Sequence, residues 1–238
     1  MRPNKVLQGL TKFTIDNYAC PWYNHVVTCI ITTIGGLTLN AQRCLEILRE
    51  IKDVAFATVD ENGFPQNRIV DVMIVEDGKL YFCTARGKDF YRQLLDHGQV
   101  AITGLNMDYQ MVRLNGKAKR LDQHEKWIDR IFAENPSMNA VYPNDSRYIL
   151  EPFCIDQGQI EFFDLRKEPI AREYYALGSG KPADKGFIIS DSCIKCGKCG
   201  HCCPQKCIKD FAIDQAHCLH CGLCAEQCPA GAVKRKKV

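Results

Sequence analysis

Two runs near the C-terminus decide how this chain is read: Cys193-Ile-Lys-Cys196-Gly-Lys-Cys199-Gly-His-Cys202-Cys203-Pro204 and Cys218-Leu-His-Cys221-Gly-Leu-Cys224-Ala-Glu-Gln-Cys228-Pro229. Both fit C-x2-C-x2-C-x3-C-P, the bacterial spacing for cubane iron–sulfur clusters. The first three thiolates of a run share one tight loop, and the fourth, after a longer gap, reaches the other cluster. The spacing therefore assigns Cys193, Cys196, Cys199 and Cys228 to one cluster and Cys218, Cys221, Cys224 and Cys203 to a second. At the repeat offset Pro204 falls on Pro229 and Gly197 on Gly222, whereas Cys202 falls on Gln227 and Cys207 on Ala232. Cys202 and Cys207 are accordingly expected to be spectators, with Cys202 near enough to replace Cys203 in a damaged site. C-x2-C pairs also bind structural zinc. Two interlocked runs with Cys-Pro endings favour clusters over zinc.

Taken together, the runs resemble a bacterial two-[4Fe-4S] ferredoxin over about residues 184–234. From Lys185 onward there are nine Lys/Arg against four Asp/Glu, a formal +5. Two oxidised clusters of about −2 each bring this segment close to neutrality. Such a segment lacks the acidic surface of a freely diffusing carrier. Cationic neighbours also favour a cluster's reduced state. The run Lys234-Arg235-Lys236-Lys237 reads as a solvated tail. Without interleaved aromatic residues it argues against nucleic-acid binding.

Outward from the clusters, 238 residues have room for one medium domain and one small one. Fifteen cysteines would suggest disulfides in a short secreted chain, but no secretory signal opens the sequence. Cluster ligation asks for a reducing compartment, so a cytoplasmic location is expected, with Cys20, Cys29, Cys44, Cys83, Cys154, Cys202 and Cys207 as free thiols. Residues 1–40 form an N-terminal extension of undetermined role, with Asp16 as its one acid against Arg2, Lys5 and Lys12. Its apolar part, 25–39, is too short and threonine-rich to span a membrane. An extra strand or an arm onto a partner subunit suits it as well as a transit peptide does.

Regular patterning begins at Ala41. Cys44, Ile47, Leu48 and Ile51 recur at helical spacing, predicting a helix over 41–52. Strands are predicted at 54–59, 66–76, 79–85, 100–105, 110–121, 148–156 and 159–165, with Asp77-Gly78 as a hairpin turn. A short helix over 88–96 should point Phe90, Leu94 and Leu95 inward. Asp122-Gln-His-Glu125 has the form of a capping box for a helix carrying Trp127, Ile128, Ile131 and Phe132. Strands dominate with helices at the edges, so the expected class is α+β with a barrel rather than a parallel sheet. The expected division is a barrel domain at 41–176, a Gly/Ser/Pro linker at 177–184 and the cluster domain at 185–238.

The order of helix, Val54-Ala-Phe-Ala-Thr-Val-Asp-Glu-Asn-Gly63, Arg68-Ile-Val70, Leu80-Tyr-Phe-Cys-Thr84 and Lys88 before a short helix resembles the pyridoxamine 5′-phosphate oxidase-like flavin split barrels over roughly 41–170. The resemblance implies a six-stranded split β-barrel and FMN at the interface of a homodimer. Arg68, Val70, Cys83, Thr84, Arg86 and Lys88 stand where that family holds the cofactor. Converging cationic forks, hydroxyls and a helix start are the chemistry a phosphate needs. Met111 stands near the family's flavin-contacting glutamine, with Gln110 and Arg113 as neighbours able to serve instead. The authentic oxidase's C-terminal Arg and Trp segment is replaced here by linker and clusters. Pyridoxamine phosphate is therefore not the expected substrate.

His25, His97, His124 and His201 show no ligand pattern, while His217 and His220 flank Cys218 and would tune a cluster. No Ser-His-Asp set, P-loop or Gly-x-Gly-x-x-Gly signature occurs. Electrons are therefore expected to enter through the clusters rather than from NAD(P)H. The resulting expectation is an oxidoreductase passing electrons from a low-potential donor protein through two [4Fe-4S] clusters to FMN, and on to a small organic acceptor. No catalytic acid is nominated; Tyr109 is available near the barrel strand. A redox adapter between protein partners is the rival reading. A barrel holding haem or a deazaflavin is a third.

Overall fold

The computed structural model describes residues 39–236, so the readings for the first 38 residues lie outside the described residues. Helix α1, Ala41–Ile51, begins at Asn40, whose side chain accepts the Arg43 N–H at 2.8 Å. That bond satisfies one of the donors orphaned at a helix start. Its buried face is Cys44, Leu45, Ile47 and Leu48.

One antiparallel sheet follows, built from β1 (Asp53–Val59), β2 (Pro65–Asp71), β3 (Ile74–Glu76), β4 (Lys79–Ala85), β5 (Gln99–Leu105), β6 (Gln110–Arg120), β7 (Leu150–Asp164) and β8 (Ala171–Leu177). The strand order is β2-β1-β5-β6-β7-β4-β3, with β8 on β7. This is the curled sheet of a split barrel, and it holds eight strands where the resemblance implies six and the patterning predicts seven. The additional strands have a visible origin. Residues 66–76 do not run straight through: the chain breaks at Val72 and Met73, both buried, whose N–H groups turn to Lys52 O and Tyr81 O at 2.9 Å. β8 takes 171–177, up to the edge of the expected linker.

β7 joins the two expected strands at 148–156 and 159–165 into one. Gly158 allows it, because a Cβ there would lie 2.5 Å from Asn115 O. The neighbouring β6 shifts register between Gly116 and Ala118. Such a bulge bends a strand and lets a sheet curl. The first half of β7 pairs with β4 and its second half with β8. The interior is aromatic: Phe82 lies 4.9 Å from Phe56 and 5.5 Å from Phe153 between ring centroids.

Helix α2 (Asp89–Asp96) buries Phe90, Gln93 and Leu94, while Leu95, expected inside, is 52% exposed. Helix α3 (His124–Glu134) buries Ile128, Ile131 and Phe132. The capping box is not formed. Gln123 takes a left-handed conformation (φ 56°) with no side-chain cap, and His124 Nε2 instead meets Leu150 O at 2.7 Å.

The cysteine-rich segment adds β9 (Phe187–Ile189), α4 (Lys198–Cys202), β10 (Ile208–Lys209), β11 (Ala212–Ile213), α5 (Leu223–Glu226) and β12 (Val233–Arg235). β9 pairs with β12 and β10 with β11, both antiparallel. Sheet and cysteine-rich segment belong to the same compact unit, Leu39–Val238.

Candidate functional sites

The barrel carries a cavity of about 650 Å³ bounded by β2, the end of β4 and α2. Five of the six residues expected to hold a cofactor line it: Arg68, Val70, Cys83, Thr84 and Lys88. Arg86 does not. Its guanidinium turns to Glu151, 2.9 Å away on β7, a partner brought beside β4 only by strand pairing. Gln110, Met111 and Arg113 are absent from the lining as well. Gln110 meets Asn106 and Asp164, and Arg113 lies 3.6 Å from Glu161.

Arg68 is the chemical centre of the cavity. Its Nη1 donates to Thr58 Oγ1 at 2.5 Å and its Nη2 to Gln93 Oε1 at 2.9 Å, and its guanidinium lies 4.5 Å over the Phe90 ring. Neutral oxygens and an aromatic face thus hold it in place. No ion pair is formed by Arg68 among the described residues. Burial pulls its pKa down from the ordinary value, although guanidinium stays charged throughout the accessible range. A half-buried cation of fixed geometry, with no carboxylate partner among the described residues, fits an anion of phosphate type.

Thr84 is buried at the end of β4 and offers a hydroxyl. Burial pushes the neighbouring Cys83 thiol up to about 12, so it stays neutral and adds no charge. Lys88 begins α2 without capping it by its side chain. Several carboxylates stand at the rim. Asp60 is occupied by the N–H groups of Asn62 and Phe64, both at 2.9 Å, which hold its pKa below the usual range. Asp89 is engaged by Arg92. Glu61, Asp71 and Asp96 line the cavity too, and it is the donor set of Arg68, Thr84 and Lys88 that fits a phosphate-bearing cofactor.

Sequence reasoning missed Thr58 and Gln93. Thr58 follows Val54 and Phe56 on the alternating inward face of β1, and Gln93 lies one turn after Phe90 on the buried face of α2. A polar residue on an otherwise apolar face was the available signal.

In the cysteine-rich segment the two runs fold alike. Gly197 and Gly222 are both left-handed, at φ 76° and 84°, as are Lys195 and His220 at 56° and 57°. In both loops the backbone reaches back to the first sulfur: Lys195 N donates to Cys193 Sγ and His220 N to Cys218 Sγ, each at 3.4 Å. Hydrogen bonds of this kind help set a cluster's potential. Cys228 Sγ accepts the Ala232 N–H at 3.2 Å, and that bond leads the causes lowering its thiol pKa toward the thiolate a metal needs.

Cys199 and Cys224 are buried against Phe187 and Val233. Cys203, Cys218, Cys221 and Cys224 line one small cavity. Cys207 lines it too, its Sγ 3.5 Å from that of Cys203, whereas Cys202 Sγ turns to Cys199 O at 3.4 Å. No three His, Cys, Asp or Glu side chains among the described residues converge closely enough for a single ion. A cubane takes its four thiolates at separate corners. The donor set and loop shape fit such a group.

His97 and His201 are exposed; His25 lies outside the described residues. No helix among the described residues is long and apolar enough to cross a membrane.

The comparisons with known proteins agree with both halves. Residues 41–147 match the family model for pyridoxamine 5′-phosphate oxidase, and residues 211–234 that for a 4Fe-4S binding domain. No curated protein matches the whole chain or part of it. Among solved structures, a NimC/NimA family protein from Clostridium acetobutylicum is 24% identical, with 58% of this chain and 92% of that one covered and a TM-score of 0.49. A pyridoxamine 5′-phosphate oxidase-related, FMN-binding protein from Nostoc punctiforme is 15% identical over 71% of this chain and 100% of its own, with a TM-score of 0.40. A heme-binding protein from Mycobacterium smegmatis is 13% identical over 58% and 59%, with a TM-score of 0.45.

Proposed function

We propose that this chain, which joins a pyridoxamine 5′-phosphate oxidase-like domain to a 4Fe-4S binding domain, is an iron–sulfur flavoprotein oxidoreductase that uses two [4Fe-4S] clusters and FMN. The observation that carries the reading is Arg68, a cation held by neutral partners at the wall of a cavity large enough for a flavin nucleotide. In this reading Arg68, Thr84 and Lys88 hold the phosphate, while Val70 and Cys83 pack beside them. Arg86 fixes the end of β4 through Glu151 instead of touching the cofactor. The eight cysteines hold the two clusters in the crossed arrangement expected from their spacing.

Clusters supply one-electron transfer, and a flavin couples that to two-electron chemistry on an organic acceptor. The protein's own task is to set distance, potential and access. An external low-potential carrier protein is the donor, and the expected setting is the cytoplasm. The division into barrel (41–176), linker (177–184) and cluster domain (185–238) belongs to the same reading.

Stopped-flow mixing with a reduced low-potential carrier should show cluster reduction first and flavin reduction after it. Flavin reduced at full speed in protein stripped of its clusters would refute the order. Reduced flavin reoxidised only by a partner protein, never by a small acceptor, would turn the enzyme into an adapter. A sharp Soret band in the purified protein would replace FMN by haem. The functional unit is proposed to be a homodimer. Sedimentation of the FMN-loaded protein should give twice the chain mass, and a stable monomer retaining FMN is the contrary result.

A further inference from the structure

The two cysteine sites are not placed alike with respect to the barrel. Among the described residues, the side-chain hydrogen bonds between cysteine-rich segment and barrel run through the loops of the second site. Gln205, just after Cys203, accepts the Ile170 N–H at 3.3 Å. His217, just before Cys218, meets Ile170 O at 2.7 Å through Nδ1. Leu219 and His220, between Cys218 and Cys221, are both reached by Arg172 of β8.

Arg172 is held through both terminal nitrogens and its face, while its buried Nε has no partner among the described residues. Its side chain is 11% exposed; Nη1 donates to Glu161 Oε1 at 2.5 Å, and the guanidinium lies 4.6 Å over the Phe163 ring. Nη1 also points at His220 Nδ1 at 3.3 Å, and Nη2 at Leu219 O at 3.5 Å. The His220 ring lies nearly parallel to that of Tyr174, the planes 9° apart. The first site has no such attachment: residues 193–202 form no hydrogen bond or ion pair with the barrel among the described residues. Cys196 is exposed there, as Cys221 is in the second site, so the asymmetry lies in the attachments to the barrel and in Ile194, which is 65% exposed.

We infer that the path has a fixed polarity. The second site (Cys203, Cys218, Cys221, Cys224) is the inner relay facing the barrel, with Arg172 as its positioning residue. The first site (Cys193, Cys196, Cys199, Cys228) is the outer port. The inference rests on the cluster-to-flavin reading above. Each electron entering the first site leaves an external one-electron carrier protein oxidised by one electron. Two such entries, with two protons from solvent, balance the two-electron reduction of an organic acceptor. Arg172 takes no part in that chemistry. It holds the loop of the second site at a fixed separation from β7 and β8, and loss of that attachment lets the separation vary.

The test uses full-length protein loaded with clusters and FMN, as wild type, Arg172→Leu and Arg172→Lys. The low-temperature EPR signals of the two clusters are assigned by their loss in Cys196→Ser and Cys221→Ser. In Arg172→Leu the cluster-to-flavin phase should slow about tenfold or more, while reduction of the clusters by the carrier stays within about twofold. The EPR signal of the second cluster should change and that of the first should not. Arg172→Lys keeps the charge but loses the fork, so it should fall between, and it carries the test if the leucine variant loads no clusters. Equal slowing of both phases, unchanged kinetics, or a change confined to the first cluster's signal would overturn the polarity. If wild-type flavin is not reduced through the clusters, the functional reading fails, and the EPR comparison still decides the docking.

Discussion

Anaerobically reconstituted protein is expected to carry about eight iron and eight sulfide per chain, as two cubanes require. Cys196→Ser should cost one cluster, removing up to about half of that iron, whereas Cys202→Ser should leave the content unchanged. The contrast follows from the two loops. Cys196 occupies the same place in its loop as Cys221, and the two loops share their left-handed residues and their N–H···S bonds. Cys202 Sγ is turned to a backbone carbonyl, and its repeat counterpart is Gln227, which offers no thiolate. Metal analysis by mass spectrometry with sulfide determination decides the matter. Zinc near two per chain with little iron would sink the cluster assignment. Cys203→Ser is more informative still, since Cys207 stands 3.5 Å from the sulfur removed.

Arg68→Ala is expected to weaken FMN binding by about 10- to 150-fold, the equivalent of the 1.5–3 kcal/mol typical of a hydrogen bond to a charged group. Cluster absorbance should be unaffected. The substitution isolates the phosphate contact well, because Thr58 Oγ1 already donates to Gln93 Oε1 at 2.5 Å. Removing the guanidinium leaves those two groups bonded to one another. Arg68→Lys keeps a positive charge but not the planar fork, and should lie between. Fluorescence titration of cofactor-free protein with FMN measures the effect. Wild-type affinity in the alanine variant would place the phosphate away from β2.

Much of this protein is legible in its sequence, for a physical reason. The cysteine loops are local: ligand spacing, two left-handed positions and two N–H···S bonds all fall within a few residues. Helices α1 and α2, the Asp77-Gly78 hairpin and strands β1, β4, β5 and β6 likewise follow from short-range periodicity and turn chemistry. Five of the six expected residues line one cavity because β2, β4 and the start of α2 lie together in this fold.

Tertiary structure decided what depends on distant partners. Arg86 was expected at the phosphate and instead pairs with Glu151, 65 residues away, because β4 lies against β7. The break at Val72 and Met73 depends on carbonyls of Lys52 and Tyr81, which no window on residues 66–76 contains. The capping box at Asp122 is not formed: Gln123 stands at the helix start in a left-handed conformation, and His124 meets Leu150 O, 26 residues away. Arg172 and His220 are 48 residues apart, and nothing in the sequence pairs them. Only the pairing of β8 with β7 sets Arg172 beside Glu161 and Phe163 and aims it at the second cysteine loop. Spacing along the chain specifies which groups can hold a cofactor, since ligands must lie within one loop's reach. Which cation lines the cavity, which meets a carboxylate and which reaches a cysteine loop is settled by long-range strand pairing.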